Sequence, residues 1–171
     1  MNGVAARPKP PLVLGIDPGS KYTGWGLVAK NGSRLCLTAA GRISARKTDP
    51  LAERLNQIFQ GLTQVILEFK PDFAAVEDIF FAKNVRSAVR LGHVRGVALL
   101  AAAAAGLPVF EYSPATIKMA VVGYGRADKA QVGLMVSRLL SVGNDLAEDA
   151  ADACAAAICH LHQTPLPKGL K

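Results

Sequence analysis

Two short apolar runs each end in a carboxylate. Leu12-Val13-Leu14-Gly15-Ile16 leads into Asp17, and Phe73-Ala74-Ala75-Val76 leads into Glu77. Runs of this length, rich in aliphatic residues and followed by polar or turn-forming ones, read as buried strands. A side chain at the end of such a strand reaches the carboxyl edge of a sheet, where open α/β sheets hold ligands. Glu77 constrains the reading more, because a carboxylate closing an apolar strand is costly to bury without a partner. Asp17 precedes Pro18-Gly19, so a turn-initiating carboxylate bonded to the following backbone is a second reading of that residue.

The rest of the chain supplies a frame for these strands. After Pro18-Gly19-Ser20, Thr23 to Ala29 and Arg34 to Ile43 flank the hairpin signal Asn31-Gly32, giving an antiparallel three-stranded start. Leu51, Leu55, Ile58, Leu62, Val65 and Phe69 form an apolar stripe on a helix ended before Pro71. Strand Phe73–Glu77 is followed by a helix from about Asn84 to Ala105, then a strand from Pro108 to Tyr112. A helix from Asp128 to Leu140 opens on a capping-box pattern, Asp128 with Gln131, and the last helix runs from about Leu146 to Leu161. The order βββαβαβαα predicts a mixed five-stranded sheet flanked by helices, an α/β chain of ribonuclease H-like architecture. Residues 1–10 and 163–171 read as flexible tails around one domain, 11–162.

The last helix carries Asp145, Glu148, Asp149 and Asp152 on one side, opposite a core stripe of Ala151, Cys154, Ile158 and Leu161. Asp145 and Glu148 have capping-box spacing, which leaves Asp149 and Asp152 one turn apart. A solvated acidic face is the plain alternative. If this pair converges with Asp17 and Glu77, the like charges are tolerable only with cations, and oxygen-only ligands suit Mg²⁺ or Mn²⁺. Two such ions about 4 Å apart, bridged by Asp17, would serve an in-line displacement at phosphorus. Three free cysteines without Cys-x-x-Cys spacing suit a reducing cytoplasm, and His160 and His162 at a helix end suit cations there. His93, in mid-helix, reads as a packing or polar contact.

Composition points to the substrate. The chain of 171 residues carries 20 Lys and Arg against 13 Asp and Glu, a net charge of +7 that favours a polyanion. No apolar run spans a bilayer and no signal core opens the chain, so neither membrane nor export is expected. Phe80 and Phe81 sit in a loop with Lys83, Asn84 and Arg86, a pairing of rings for unpaired bases with cations for phosphates. Tyr124 and Arg126 repeat it. Lys129 occupies a helical first turn, where the dipole disfavours a cation unless a phosphate offsets it, and Lys118 follows Pro114 on a short helix. Gly92 and Gly96 are four apart, which allows close packing against either the sheet or a second helix.

These segments, taken in order, resemble the RuvC family of Holliday-junction endonucleases. The matching residues are Leu14-Gly15-Ile16-Asp17-Pro18-Gly19-Ser20, Ala75-Val76-Glu77 through Asn84, and Leu91-Gly92 through Val97. Further on come Pro108 to Tyr112, Val121-Val122-Gly123 with Lys129 to Val132, and Asp149-Ala150-Ala151-Asp152-Ala153. The resemblance implies a homodimer that makes symmetric Mg²⁺-dependent nicks in four-way DNA junctions, with RuvA and RuvB as partners. It implies catalytic roles for Asp17, Glu77, Asp149 and Asp152, basic site positions at Lys118 and Lys129, and a junction contact at Phe80. Asp78 departs from the pattern, where a neutral polar residue is expected, and it is expected to face away from Glu77. An ATPase of the actin-like superfamily, suggested by the Gly-Ile-Asp-Pro-Gly-Ser loop, needs a second domain. An RNA nuclease and a purely architectural junction binder remain as other classes to test.

Overall fold

A computed structural model describes residues 9–19, 21–78, 85–143 and 146–164. Strands β1 (Leu12–Asp17), β2 (Tyr22–Asn31) and β3 (Arg34–Ser44) come first, followed by helix α1 (Leu51–Phe69). Strand β4 (Phe73–Glu77), helix α2 (Val85–Ala104) and strand β5 (Val109–Tyr112) complete the sheet. The chain closes with α3 (Pro114–Val122), α4 (Lys129–Leu140) and α5 (Glu148–Gln163). Three helices thus follow β5: the short helix expected after Pro114, left out of the expected element order, is α3, capped by Ser113. The five-stranded sheet has the order β3-β2-β1-β4-β5, antiparallel across β1, β2 and β3 and parallel across β1, β4 and β5.

Strand alternation divides the core cleanly in two. Leu12, Leu14, Ile16 and Val76 pack under α1 and α2, whereas Val13, Ala75 and Val28 lie under α3, α4 and α5. Since side chains alternate along a strand, Asp17 and Glu77 fall on the second face, at the ends of adjacent parallel strands.

Helix α5 is the centre of that face, and sheet glycines admit it. A Cβ built on Gly15 would run into the carbonyl of Ala153, one on Gly24 into the carbonyl of Asp149, and one on Gly26 into the thiol of Cys154. Glycines inside strands mark such close backbone approach. The helix is buried on every side from Ala150 through Leu161, apart from Asp152, rather than along a single stripe as its periodicity suggested. Its run of alanines makes this possible by letting the sheet, α3 and α4 all approach its backbone.

The start of α5 also differs from expectation. Ala147 occupies the N-cap with no side-chain cap bond, so Glu148 is the first helical residue and does not close a capping box. Asp145 lies outside the described residues. The capping box of α4 is present as expected, with Asp128 accepting from the Gln131 amide and the Gln131 side chain returning the bond. His160, expected to be a cation, is instead 1% exposed. Its Nδ1 lies 2.8 Å from the Tyr112 hydroxyl, the rings of Phe73 and Phe110 pack on it, and burial lowers its pKa. His162 does sit in the exposed last turn, where Nδ1–H donates to the Ala120 carbonyl at 3.0 Å. His93 is exposed on α2 and takes no part in the core.

Candidate active site

The sheet's carboxyl edge, the N-terminal turns of α5 and the facing turns of α3 and α4 enclose a cleft of about 300 Å³. Asp17 and Glu77 form its floor, Asp152 comes down from α5, and Lys118 and Lys129 form the opposite wall. Pro18, Asp78, Leu91, Pro114, Ile117, Val132 and Ala155 line the rest. Asp149 stands one turn earlier on α5, its backbone seated on Gly24, and does not line the cleft itself, although its charge acts on Asp17. All four acidic residues singled out from the sequence therefore meet at one end of α5.

Their electrostatics are those of an overcrowded anionic site. Burial, then the charges of Glu77, Asp152 and Asp149, push the Asp17 carboxyl from the ordinary 3.8 up to about 7, against the opposing pull of Lys129. Glu77 is raised as well, first by burial and then by Asp152, while Lys129 and Lys118 hold it down. A carboxylate that resists ionisation beside like charges marks a place that a cation would relieve. The donors are all oxygen, the chemistry of hard divalent ions. Among the described residues, no three carboxylate, imidazole or thiolate groups already converge on one point at ligand distances. The Asp152 carboxylate is instead held by Lys129, whose Nζ donates to it at 3.0 Å and to Glu148 at 3.2 Å.

Lys129 explains its own place in the first turn of α4. There the helix dipole opposes a cation, but the first two turns of α5 supply two carboxylates in compensation. Its pKa is raised by those bonds despite partial burial. The sequence did not reveal that Glu148 belongs to this pair, having assigned it to capping; the Glu148/Asp152 spacing of one helical turn was the available signal. The strand glycines were the other missed signal, since three in two adjacent strands announce a closely packed helix.

The Asp78 carboxylate turns away from Glu77 as expected, toward Arg95 of α2 on the sheet face opposite α5. The Asp78 backbone N–H donates to the Tyr112 carbonyl at 2.8 Å, the residue borders the same cleft as Glu77, and its carboxylate pairs with Arg95 at 3.0 Å. Arg95 also pairs with Glu111 of β5, so α2 is tied to the sheet beside the cleft. Of the nucleic-acid candidates, Lys118 is half-buried in the cleft, Arg126 is exposed between α3 and α4, and Arg86 is exposed on the first turn of α2. Phe80, Phe81, Lys83 and Asn84 lie outside the described residues. Tyr124 is exposed and donates its hydroxyl to Gln131 at 2.7 Å, bracing the turn before α4.

Comparison with known proteins decides the family. The model of crossover junction endodeoxyribonuclease RuvC matches residues 13–160. The chain belongs to the RuvC family. A RuvC from Geobacter sp. (strain M21) is 48% identical over 160 residues, covering 94% of this chain and 98% of that one. A RuvC from Syntrophotalea carbinolica is 53% identical over 150 residues, covering 88% of this chain and 93% of its own. Among solved structures, Thermus thermophilus RuvC in complex with Holliday junction substrate superposes with a TM-score of 0.83 at 35% identity. That match covers 88% of this chain and 93% of the other. The ribonuclease H-like sheet expected from the element order is therefore the RuvC fold, and every RuvC residue from β1 to α5 that lines the cleft falls inside the matched span.

Proposed function

We propose that this chain resolves four-way DNA junctions by hydrolysing one phosphodiester in each of two opposing strands, with Mg²⁺ as cofactor and Mn²⁺ as an acceptable substitute. The observation that carries the reading is the cleft in which Asp17, Glu77 and Asp152 crowd together with Asp149 behind them. The family relatives named crossover junction endodeoxyribonucleases support the substrate class.

In this reading Asp17 and Glu77 hold the cofactor from the rigid sheet, and Asp149 and Asp152 hold it from the helix. A bound pair of divalent ions would supply Lewis-acid stabilisation of the phosphate and activation of water. The chain's own contributions are distinct. Strands β1 and β4 fix the separation of Asp17 and Glu77 through backbone pairing, so neither depends on a loop for its position. The glycine seats fix α5 against them. Lys118 and Lys129, on the opposite wall, offset the charge of an entering phosphate and limit the rise in carboxyl pKa. Lys129 exchanges part of its bonding to Asp152 for that phosphate. Arg86, exposed on the first turn of α2, and Arg126, exposed between α3 and α4, contact the DNA backbone, with Phe80, Phe81, Lys83 and Asn84 as further contacts. The activity is assigned to residues 11–162.

Two strands require two sites, and α2 provides the pairing surface. Val85 and Val89 are 79% and 54% exposed, and a Cβ on Gly92 or Gly96 would meet open space. These positions recur every three or four residues, a seam that no other element of the chain covers among the described residues. A second copy of α2 fits it, which makes the working unit a homodimer. RuvA and RuvB are proposed as its branch-migration partners, in the cytoplasm; no helix among the described residues is long and apolar enough to cross a membrane.

The test is cleavage with Mg²⁺ of a mobile four-way junction beside linear duplex and an RNA–DNA hybrid. Paired nicks in opposing strands of the junction alone, lost with chelator and in Glu77→Gln, support the reading. Equal cutting of the hybrid, or binding of the junction without any cutting by folded protein, would overturn it.

A further inference from the structure

The rung of the sheet that holds the acidic floor continues past it. Glu77 pairs with Tyr112 on β5, Asp17 pairs with Gly24 on β2, and Gly24 pairs with Arg42 on β3. Residues paired directly across neighbouring strands share a face. Arg42 therefore projects on the same face as Asp17, with only Gly24, covered by the Asp149 backbone, between them. Two strand spacings place its Cα about 10 Å from that of Asp17.

Arg42 is not alone there. Its guanidinium carbon lies 4.3 Å from the centre of the Tyr22 ring, and Lys21 Nζ lies 4.5 Å from the same centre. Tyr22 precedes Gly24 by two residues and so shares its face. Two like charges are gathered on one half-buried aromatic, and among the described residues neither is ion-paired with a carboxylate. Cation–π attraction holds them in place without neutralising them. This contrasts with Lys129 and Arg95, whose charges are spent on neighbouring carboxylates.

The register that achieves this is not the one the hairpin would impose. Counting back from the Asn31–Arg34 pair beside the turn would set Gly41 opposite Gly24 and put Arg42 on the α1 face. A bulge between Leu27 and Val28, where Leu27 pairs Ala39 and Val28 pairs Leu37, moves the register by one residue. A one-residue step exchanges the faces of every residue beyond it, and bulges re-aim side chains next to active sites.

We propose that Lys21, Tyr22 and Arg42 form a phosphate-binding step on the β3 side of the cleft, which grips the backbone of the strand being cut. The proposal rests on the nuclease reading above and extends it to the substrate's path. At about 3.4 Å of rise per phosphate along one strand, a separation of about 10 Å reaches a phosphate some three steps from the scissile one. The contact is to backbone and carries no base preference.

The test is fluorescence anisotropy of a labelled four-way junction in chelator, over a series of salt concentrations. Arg42→Gln is expected to weaken binding severalfold and to lower the salt slope by about 0.9 per lost phosphate contact. Arg42→Lys should keep most of the slope. Arg34→Gln removes the same charge at the far end of β3 and should change affinity less than twofold. An Arg42→Gln protein with wild-type slope, or one no different from Arg34→Gln, would overturn the proposal while leaving the nuclease reading intact. Wild-type protein that fails to bind junctions at all would overturn both.

Discussion

Replacing Asp17 by asparagine should make the metal-free protein more stable, and only above a particular pH. The unfolded chain ionises this aspartate near 3.8, whereas the folded one holds it protonated up to about 7. Between those values the folded state binds the extra proton, so stability falls as pH rises through the window and is flat on either side. At 1.36 kcal/mol for each pH unit, the full interval is worth about 4 kcal/mol. Asp17 is half-buried on the floor of an open cleft, where water relaxes part of that cost, and about 2 kcal/mol is the expected share. For a chain of this length each kcal/mol moves Tm by about 2–4 °C, so Asp17→Asn should melt about 4–8 °C above wild type at pH 8 in chelator. The gap should close toward pH 4. Thermal unfolding from pH 4 to 8.5 measures it directly. Added Mg²⁺ should narrow or reverse the order, because a ligand that binds only the intact site stabilises wild type. A gap independent of pH, or a less stable variant at pH 8, would refute the claim that burial and like-charge crowding at the floor of the cleft raise Asp17.

Three further expectations use other parts of the molecule. Gly15→Ala sets a methyl against the Ala153 carbonyl, a backbone atom that cannot rotate away, so α5 must shift. The variant should lose about 2–3 kcal/mol in denaturant unfolding and most junction cleavage, while far-UV circular dichroism stays native-like. Lys129→Gln removes a charge that holds down both Asp17 and Glu77, so the acid limb of the cleavage–pH profile should move to higher pH; a limb moved to lower pH would contradict it. His160, buried and depressed below its ordinary 6.5, stabilises the fold above that value and withdraws its support as pH falls. His160→Phe should therefore flatten the acid side of the stability profile, read as Tm between pH 5 and 7.

How much could be read in advance depended on the range of the interaction that fixed each feature. Asp17 and Glu77 were legible because an apolar strand and its terminal residue are contiguous, and alternation alone assigns the face. The α4 cap was legible for the same reason, being a bond between Asp128 and Gln131. The same local logic failed at α5. Its acidic first turn looked like a capping box, yet Glu148 turns to Lys129, 19 residues away, and Ala147 takes the cap. His160 looked like a helix-end cation, but β5 brings Tyr112 and Phe110 over it. In each case a tertiary partner outweighed a preference worth about 1 kcal/mol.

Arg42 marks the limit of such reading. Composition identifies it as one of many basic residues, the hairpin signal at Asn31-Gly32 identifies its strand, and counting from the turn assigns it to the wrong face. Only the bulge beside Leu27 and Val28 brings it onto the rung of Asp17. Were this same strand paired without a bulge, the cleft would be bounded on the β3 side by Gly41, which instead sits against the Trp25 ring on the opposite face. A single unpaired residue in a long edge strand thus sets whether the site presents a cation or a glycine to the incoming backbone. Deleting Thr38, the residue that the bulge accommodates between Leu37 and Ala39, should close the bulge while leaving Ala39 opposite Leu27 and Arg42 opposite Gly24. Arg42 then stays on the rung of Asp17, so junction affinity and its salt slope should match wild type. Weaker binding with a lower salt slope, alongside an intact Asp17–Glu77 pair on β1 and β4, would refute the claim that pairing with Gly24 is what aims Arg42 at the DNA.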